Sequence, residues 1–348
     1  MKCSRNENRD IVKDIIQFSS YYDSEIGMSI LKLRFSMVGT LALIISLSTL
    51  FLTYILAYLG MNITSIALFI VIFNVAQWLF APYLIDAMYR VKKVSRSEAP
   101  ELHSMVERLS QKSGIKTPII GIAKIPIPNA FAYGSPITGT RVAVTSQLLD
   151  TLETEEVEAV IGHELGHLRH RDVQIMMFVS ILPALFYYIG YSLFWSSQFS
   201  RRDERGNAGL AALIGMLSIL IYFILNLFTL YLSRLREYYA DSHSSSIVED
   251  GARKLSEGLV KISESAQRIR TQRPQTSNLA SFKALFISDP DSAAKDVRDI
   301  RQAGIGRSDR ALVEGYLSKK ITTADRIVEL FSTHPNMVKR LRALQELA

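Results

Sequence analysis

Residues 160–172 read VIGHELGHLRHRD, and within them His163 and His167 stand four apart. On a helix that spacing projects both imidazoles from one face, about one turn apart, which suits two corners of a tetrahedral zinc site. Glu164, beside the first histidine, can reach a water in an open corner, take its proton and pass it to a leaving amine. H-E-x-x-H is therefore a pattern for metal-assisted peptide hydrolysis. The competing reading is a polar helix end at a membrane entry, its histidines meeting headgroups. A helix start rich in acids (Glu155, Glu156 and Glu158) favours the metal.

A catalytic zinc wants a third protein ligand and one open position. His170 lies two turns beyond His163 on a straight helix, too far to close on the same ion, and is better placed beside the site or at an interface. A third histidine on a loop would need a glycine turn and a histidine six residues after His167, and those positions hold Arg169 and Val173. The other type of site takes a carboxylate from a later helix. Asp172 falls on the wrong side of its helix, and Asp203 and Glu204 lie in the loop of an apolar hairpin. Glu237, in SRLREYYADSH, is the first acid after that hairpin, which would return it to His167. Asp241, one turn on, could orient a histidine through its other N–H. Position favours Glu237 as a ligand; the alternative is a surface acid paired with Arg234 or Arg236.

Long apolar runs must position these residues. Phe35 to Ile85 holds no charged residue or histidine and breaks once, at GMNIT, which gives segments at about 35–59 and 65–85. A second pair follows at about 174–195 and 208–232. Each can cross ~30 Å of hydrocarbon as a helix, whereas buried core helices seldom run past about twenty residues without a charge. The expectation is four transmembrane helices in two hairpins. No secretory signal precedes them. Basic residues in the tail, and Arg90, Lys92, Lys93 and Arg96 after the second run, put the tail and residues from about 86 in the cytoplasm. Arginines flank the second hairpin on both sides and barely orient it. Basic residues beside the spans explain the net charge of +7 without nucleic acid. The single cysteine, Cys3, excludes an internal disulfide and suits a reducing compartment.

Between the hairpins, RSEAPELHSMVERLSQKSGIK reads as a helix, with Pro100 in its first turn and Gly114 as its stop. Strands are expected at 118–126 and 141–149, with NAFAYGSPITGT between them. Thr154 is the expected cap of the next helix, which runs through residue 167, its continuation into the third span left open. From 242 onward the pattern is polar and mostly helical, with loops at 271–278 and 287–293.

Taken in order, PELHSMVERLSQKSGI, PNAFAYG, VEAVIGHELGHLRHRD, SRLREYYAD and FSTHP resemble the HtpX-type integral-membrane zinc metalloproteases, relatives of the CAAX prenyl endopeptidases. The resemblance runs from about residue 31 to the carboxyl end. It implies a mainly α protein: a four-helix transmembrane module and a cytoplasmic gluzincin-type domain, mostly helical with a small β-sheet. It implies one zinc per chain on His163, His167 and Glu237, with Glu164 as general base and acid and Asp241 as the partner of a ligand. His334, in the family's H-P motif, looks like a donor to the tetrahedral oxyanion, and Arg340 matches an arginine that braces the site. Alternating Ala130, Phe131 and Ala132 suit an edge strand to which a substrate peptide could add with little sequence preference, with Asn129 and Ala130 the first choices for contact; the alternative is a plain hairpin strand.

The expected organisation is a tail (1–33), a first hairpin (34–85), a first part of the protease domain (86–173), a second hairpin (174–232) and a second part (233–348). Two departures from the family stand out: the long tail, and about forty residues between ALFISDP and STHP, read as an inserted helical segment at about 291–330. Expected partners are polypeptides, above all misfolded or damaged membrane proteins, and the lipid bilayer of the cell membrane, with homo-oligomerisation left open. Processing of lipidated carboxyl termini is the enzymatic alternative, though it calls for more spans. A non-catalytic zinc-stabilised scaffold would not need Glu164, and a transporter would need ionisable residues inside the spans.

Overall fold

The computed structural model describes residues 63–198, 205–272 and 308–348. Helix α1 (Ile63–Met88) carries the second expected span; the tail and the first span lie outside the described residues. Strand β1 (Val91–Lys93) and helix α2 (Pro100–Ser113) follow. α2 starts on Pro100 and stops at Gly114, whose φ of 65° is a left-handed turn that glycine adopts without strain. Its apolar stripe, Leu102, Met105, Val106 and Leu109, is buried.

Strands β2 (Ile119–Ala123), β3 (Ala130–Ser135) and β4 (Gly139–Thr145) complete a mixed sheet of order β1-β2-β4-β3. β2 and β4 run parallel, while β3 pairs antiparallel with β4 alone and forms the sheet edge. The strand expected at 141–149 stops at Thr145. There the hydroxyl accepts the Leu148 N–H (3.1 Å) and opens the short helix α3 (Ser146–Thr151).

Helix α4 (Thr154–Arg169) carries the H-E-x-x-H residues. Its cap is Glu153 rather than Thr154, through a reciprocal box in which Glu156 accepts the Glu153 N–H at 2.8 Å. α4 does not run into the next helix. His170 caps it, Arg171 takes a left-handed φ of 56°, and α5 (Asp172–Gln198) begins in a new direction. α6 (Arg205–Ile247) is then one helix of 43 residues, about 65 Å long. It carries both the fourth apolar run and the residues Glu237 and Asp241.

Among the described residues, Asp172–Tyr191 and Gly209–Ile247 are long and apolar enough to cross a membrane. They form a hairpin whose backbones touch: a Cβ on Gly190 would lie 2.9 Å from the Gly215 carbonyl oxygen. Close contact through glycine is how helices associate where apolar surface alone gives no drive. The outer side of α6 stays bare, with Leu213, Met216 and Leu220 at 60, 59 and 53% exposure.

Helices α7 (Gly251–Gln272), α8 (Asp309–Leu317), α9 (Thr323–Leu330) and α10 (Met337–Gln345) complete the described chain. One core joins α2, the inner sheet face, α4, α7, α8 and α10. α8 lies in the stretch read as an insertion, yet Tyr316 is fully buried in that core and Asp309 pairs with Lys261 at 2.8 Å. The end of that stretch is therefore structural; residues 273–307 lie outside the described ones.

Two glycines set the contact between α4 and α6. A Cβ on Gly162 would meet Ser244 Oγ at 3.0 Å, and one on Gly166 would meet the Ala240 Cα at 3.1 Å. Ser244 Oγ also donates to the Ala159 carbonyl at 2.6 Å. This close approach brings Glu237 and Asp241 beside the α4 histidines. Gly166→Leu is expected to wedge the helices apart at a cost of about 1–3 kcal/mol. A lowered Tm together with a lowered metal content would be the readout; an unchanged metal content would show that the contact does not position the carboxylates.

Candidate metal centre

His163, His167 and Glu237 are all buried, and one ligand atom from each lies within 4.8 Å of the others. His163 Nε2 and His167 Nε2 are 3.1 Å apart; His163 Nε2 lies 3.6 Å from Glu237 Oε2 and His167 Nε2 3.5 Å from Glu237 Oε1. Ligands about 2.1 Å from one tetrahedral ion stand roughly 3.4 Å from each other, so the three side chains are spaced to share a zinc ion. The far side of each ring explains the near one. His163 Nδ1 lies 2.8 Å from Asp241 and His167 Nδ1 2.7 Å from Asp172. With a carboxylate taking each Nδ1 proton, both Nε2 lone pairs face one buried point, an arrangement that a shared cation relieves.

Asp241 lies against His163, one of the two histidines it could orient. Asp172 is not one of the clustered ligand residues, yet beyond the turn at His170–Arg171 this first residue of α5 lies against the far side of the His167 ring. No glycine marks the turn, so nothing local announces it. Asp172 also forms an ion pair with Arg236, whose Nε lies 3.1 Å away, while Arg234 Nη1 donates to the carbonyls of Glu329 and Ser332, both at 2.8 Å. Both arginines serve other partners, which removes the surface pairing considered for Glu237. Asp172→Asn is expected to weaken metal binding about 10–100-fold, measured by competition with a chelator. Unchanged affinity would mean that Asp172 only steadies Arg236.

Arg340 is 1% exposed and donates through Nε and Nη2 to the two oxygens of Asp241, each at 2.6 Å. Its Nη1 lies 3.4 Å from Glu237. The guanidinium holds both carboxylates from behind, and a fork of this kind balances buried charge. His334 is buried with Nδ1 3.3 Å from Glu237, and neither ring nitrogen has a hydrogen-bond partner among the described residues. An unpaired buried polar group is costly, so this ring is suited to meet something that enters the site. Its turn is held firmly: Ser332 Oγ accepts the His334 N–H, Arg234 grips two carbonyls ahead of it, and Glu329 takes the Asn336 N–H and the Lys339 ammonium.

Glu164 is buried beside the histidines and accepts a hydrogen bond from the Ala132 backbone N–H. Burial raises its pKa above the ordinary carboxyl value, against the pull of His167 and His163. β3 therefore runs along the metal helix with the backbone of Ala132 facing it. The other strand residues divide. Asn129 is fully buried, its N–H given to Thr145 Oγ1 and its carbonyl taking the Thr145 N–H, both at 2.9 Å. Phe131 turns to the opposite face and packs on Tyr89 and Tyr133. Ala130 and Ala132 lie on the face of the metal helix. His170 is no ligand: Nδ1 donates to the Gly166 carbonyl at 2.8 Å and its ring stands on Tyr239. Asp203 and Glu204 lie outside the described residues.

Residues 96–348 match the family model described as Peptidase family M48. The protease HtpX homologue of Thermoplasma acidophilum is 38% identical over 305 residues, covering 84% of this chain and 90% of its own. Protease HtpX homologue 2 of Sulfurisphaera tokodaii is 34% identical over 331 residues, covering 91% and 97%. The protease HtpX homologue of Methanothermobacter thermautotrophicus is 43% identical over 202 residues, covering 58% and 73%. The crystal structure of S. mikatae Ste24p superposes with a TM-score of 0.49 at 15% identity, over 94% of this chain and 66% of that one. With a family match over most of its length and HtpX homologues along nearly all of it, the chain belongs to peptidase family M48, as an HtpX-type metalloprotease.

Proposed function

We propose that this protein is a zinc-dependent endopeptidase set in the membrane, with its cleft on the cytoplasmic side, that hydrolyses peptide bonds in misfolded or damaged membrane proteins. The observation that carries the reading is the convergence of three buried ligand atoms, a buried glutamate and a sheet edge on one point. His163, His167 and Glu237 would hold the ion. Zinc supplies a Lewis acid there that acidifies water and polarises a scissile carbonyl.

The chain's own residues do the rest. Glu164 Oε takes the proton of the attacking water and delivers it to the departing amine nitrogen. Its buried position keeps that proton out of bulk solvent between the two transfers. His334 offers a ring N–H to the oxygen that gains charge as the carbonyl is attacked. Arg340 keeps Asp241 and Glu237 ionised and in place. An extended peptide pairing with the outer edge of β3 would be held through its backbone at Ala130 and Ala132, with small side chains that impose little sequence preference.

The test is cleavage of an unfolded protein such as casein by the detergent-purified enzyme, before and after metal removal by 1,10-phenanthroline. Cleavage is expected to stop on chelation and to return with equimolar zinc but not with magnesium, an oxygen-preferring ion. Cleavage that survives complete removal of metal would refute the proposal.

A further inference from the structure

We propose that helix α9 lies in the surface of the bilayer, with Ala324, Ile327, Val328 and Phe331 turned into lipid. The proposal rests on the α5–α6 hairpin spanning the membrane. The four residues are spaced i, i+3, i+4, i+7, which makes one stripe of a helix. In a water-soluble domain such a stripe faces the core. Here it faces out: Ile327, Val328 and Phe331 are 38, 57 and 57% exposed, and Ala324 is exposed as well. The inward side is the polar one, with Glu329 buried against the Lys339 ammonium at 2.5 Å. This is inverted amphipathy, and it calls for an apolar medium outside.

The occupant follows from the neighbour. The Phe331 ring lies 6.2 Å from that of Phe223, which is 46% exposed on α6. Phe223 stands nine residues ahead of Leu232, about 14 Å before the end of the apolar run. On the same helix come the bare Leu213, Met216 and Leu220. The α9 stripe therefore extends the lipid-facing surface of the hairpin sideways.

The carboxyl end of α9 is prepared for a place short of water. Arg234 Nη1 accounts for the Glu329 and Ser332 carbonyls, at 2.8 Å each, where a helix end normally relies on solvent. Lys320, exposed just ahead of the helix, can meet anionic headgroups. A short helix with apolar residues on one side and a basic flank is the form that lies in an interface. Three residues beyond Phe331 comes His334, so the proposed cleft stands at the membrane surface.

The test uses the full chain with Cys3 replaced by serine, a fluorescent NBD label at V328C, and liposomes of phosphatidylcholine and phosphatidylglycerol. Doxyl lipids carry the quencher either near the headgroup or near the chain end. Two references are labelled in parallel: L220C on the span and E314C on the exposed side of α8. The V328C label is expected to lose most of its emission to the shallow quencher, less to the deep one, and little to aqueous iodide. I327C should behave alike. If L220C is quenched by lipid while V328C and I327C follow E314C and respond only to iodide, the proposal is overturned and the spanning hairpin stands. If L220C also escapes the lipid quenchers, the hairpin reading falls and takes this one with it. None of these outcomes depends on peptidase activity.

Discussion

Glu164→Gln is expected to keep the bound metal and the fold while lowering peptide cleavage by about 10²–10⁴-fold. Glutamine has nearly the shape of glutamate, so the contact with the Ala132 N–H and the packing on α4 can persist. It cannot accept a proton and pass it on. Because the carboxyl is buried and no ligand atom of the metal cluster belongs to it, metal content should equal that of the wild type. Residual cleavage would report what the ion, His334 and substrate positioning achieve without a base. A variant that cleaves casein within a few-fold of the wild type would mean that another group moves the proton.

Glu237→Ala is expected to act one step earlier, by emptying the site. Two histidines remain, but the third ligand and the negative charge that balances a divalent ion are gone. The loss reaches further, because Arg340 Nη1 and His334 both face that carboxylate, at 3.4 and 3.3 Å. Arg340 keeps its two bonds to Asp241, so the fold should survive with a penalty of about 1–3 kcal/mol. Metal analysis after dialysis against a chelator that the wild type withstands should find the variant empty, and cleavage absent. Glu237→Gln, which retains an oxygen without the charge, should fall between the two. Full metal occupancy in Glu237→Ala would place the third ligand elsewhere.

Much of this site is legible in the sequence because its parts are local. His163, Glu164 and His167 fall within about one turn of one helix whose acidic start is visible, and Glu237 and Asp241 are one turn apart directly after an apolar run. The hairpin of α5 and α6 converts that order into proximity. What could not be read is what depends on a single backbone choice. Arg171 enters a left-handed turn without glycine, and just beyond that turn Asp172 lies against His167. The strand at 141–149 ends early because Thr145 caps a helix instead of continuing the sheet. Gly162 and Gly166, four apart, did carry a signal for the helix contact, since small residues at that spacing let backbones meet. The stripe of α9 was not singled out in the sequence, where this stretch reads only as part of an inserted helical segment; its outward face shows in the packing beside Phe223.

The edge strand illustrates the same limit. Alternation in NAFAY marks β3, but alternation alone does not say which face meets α4. The packing does: Phe131 goes to the side of Tyr89, and Ala130 and Ala132 to the core shared with α4.

The most direct test is anomalous diffraction at the zinc edge from crystals of the Glu164→Gln protein, which should retain metal without consuming substrate. One strong peak per chain is expected, about 2.0–2.1 Å from His163 Nε2 and His167 Nε2 and bound by a Glu237 oxygen. No peak after equilibration with zinc, or a peak held by other residues, would contradict this ligand set.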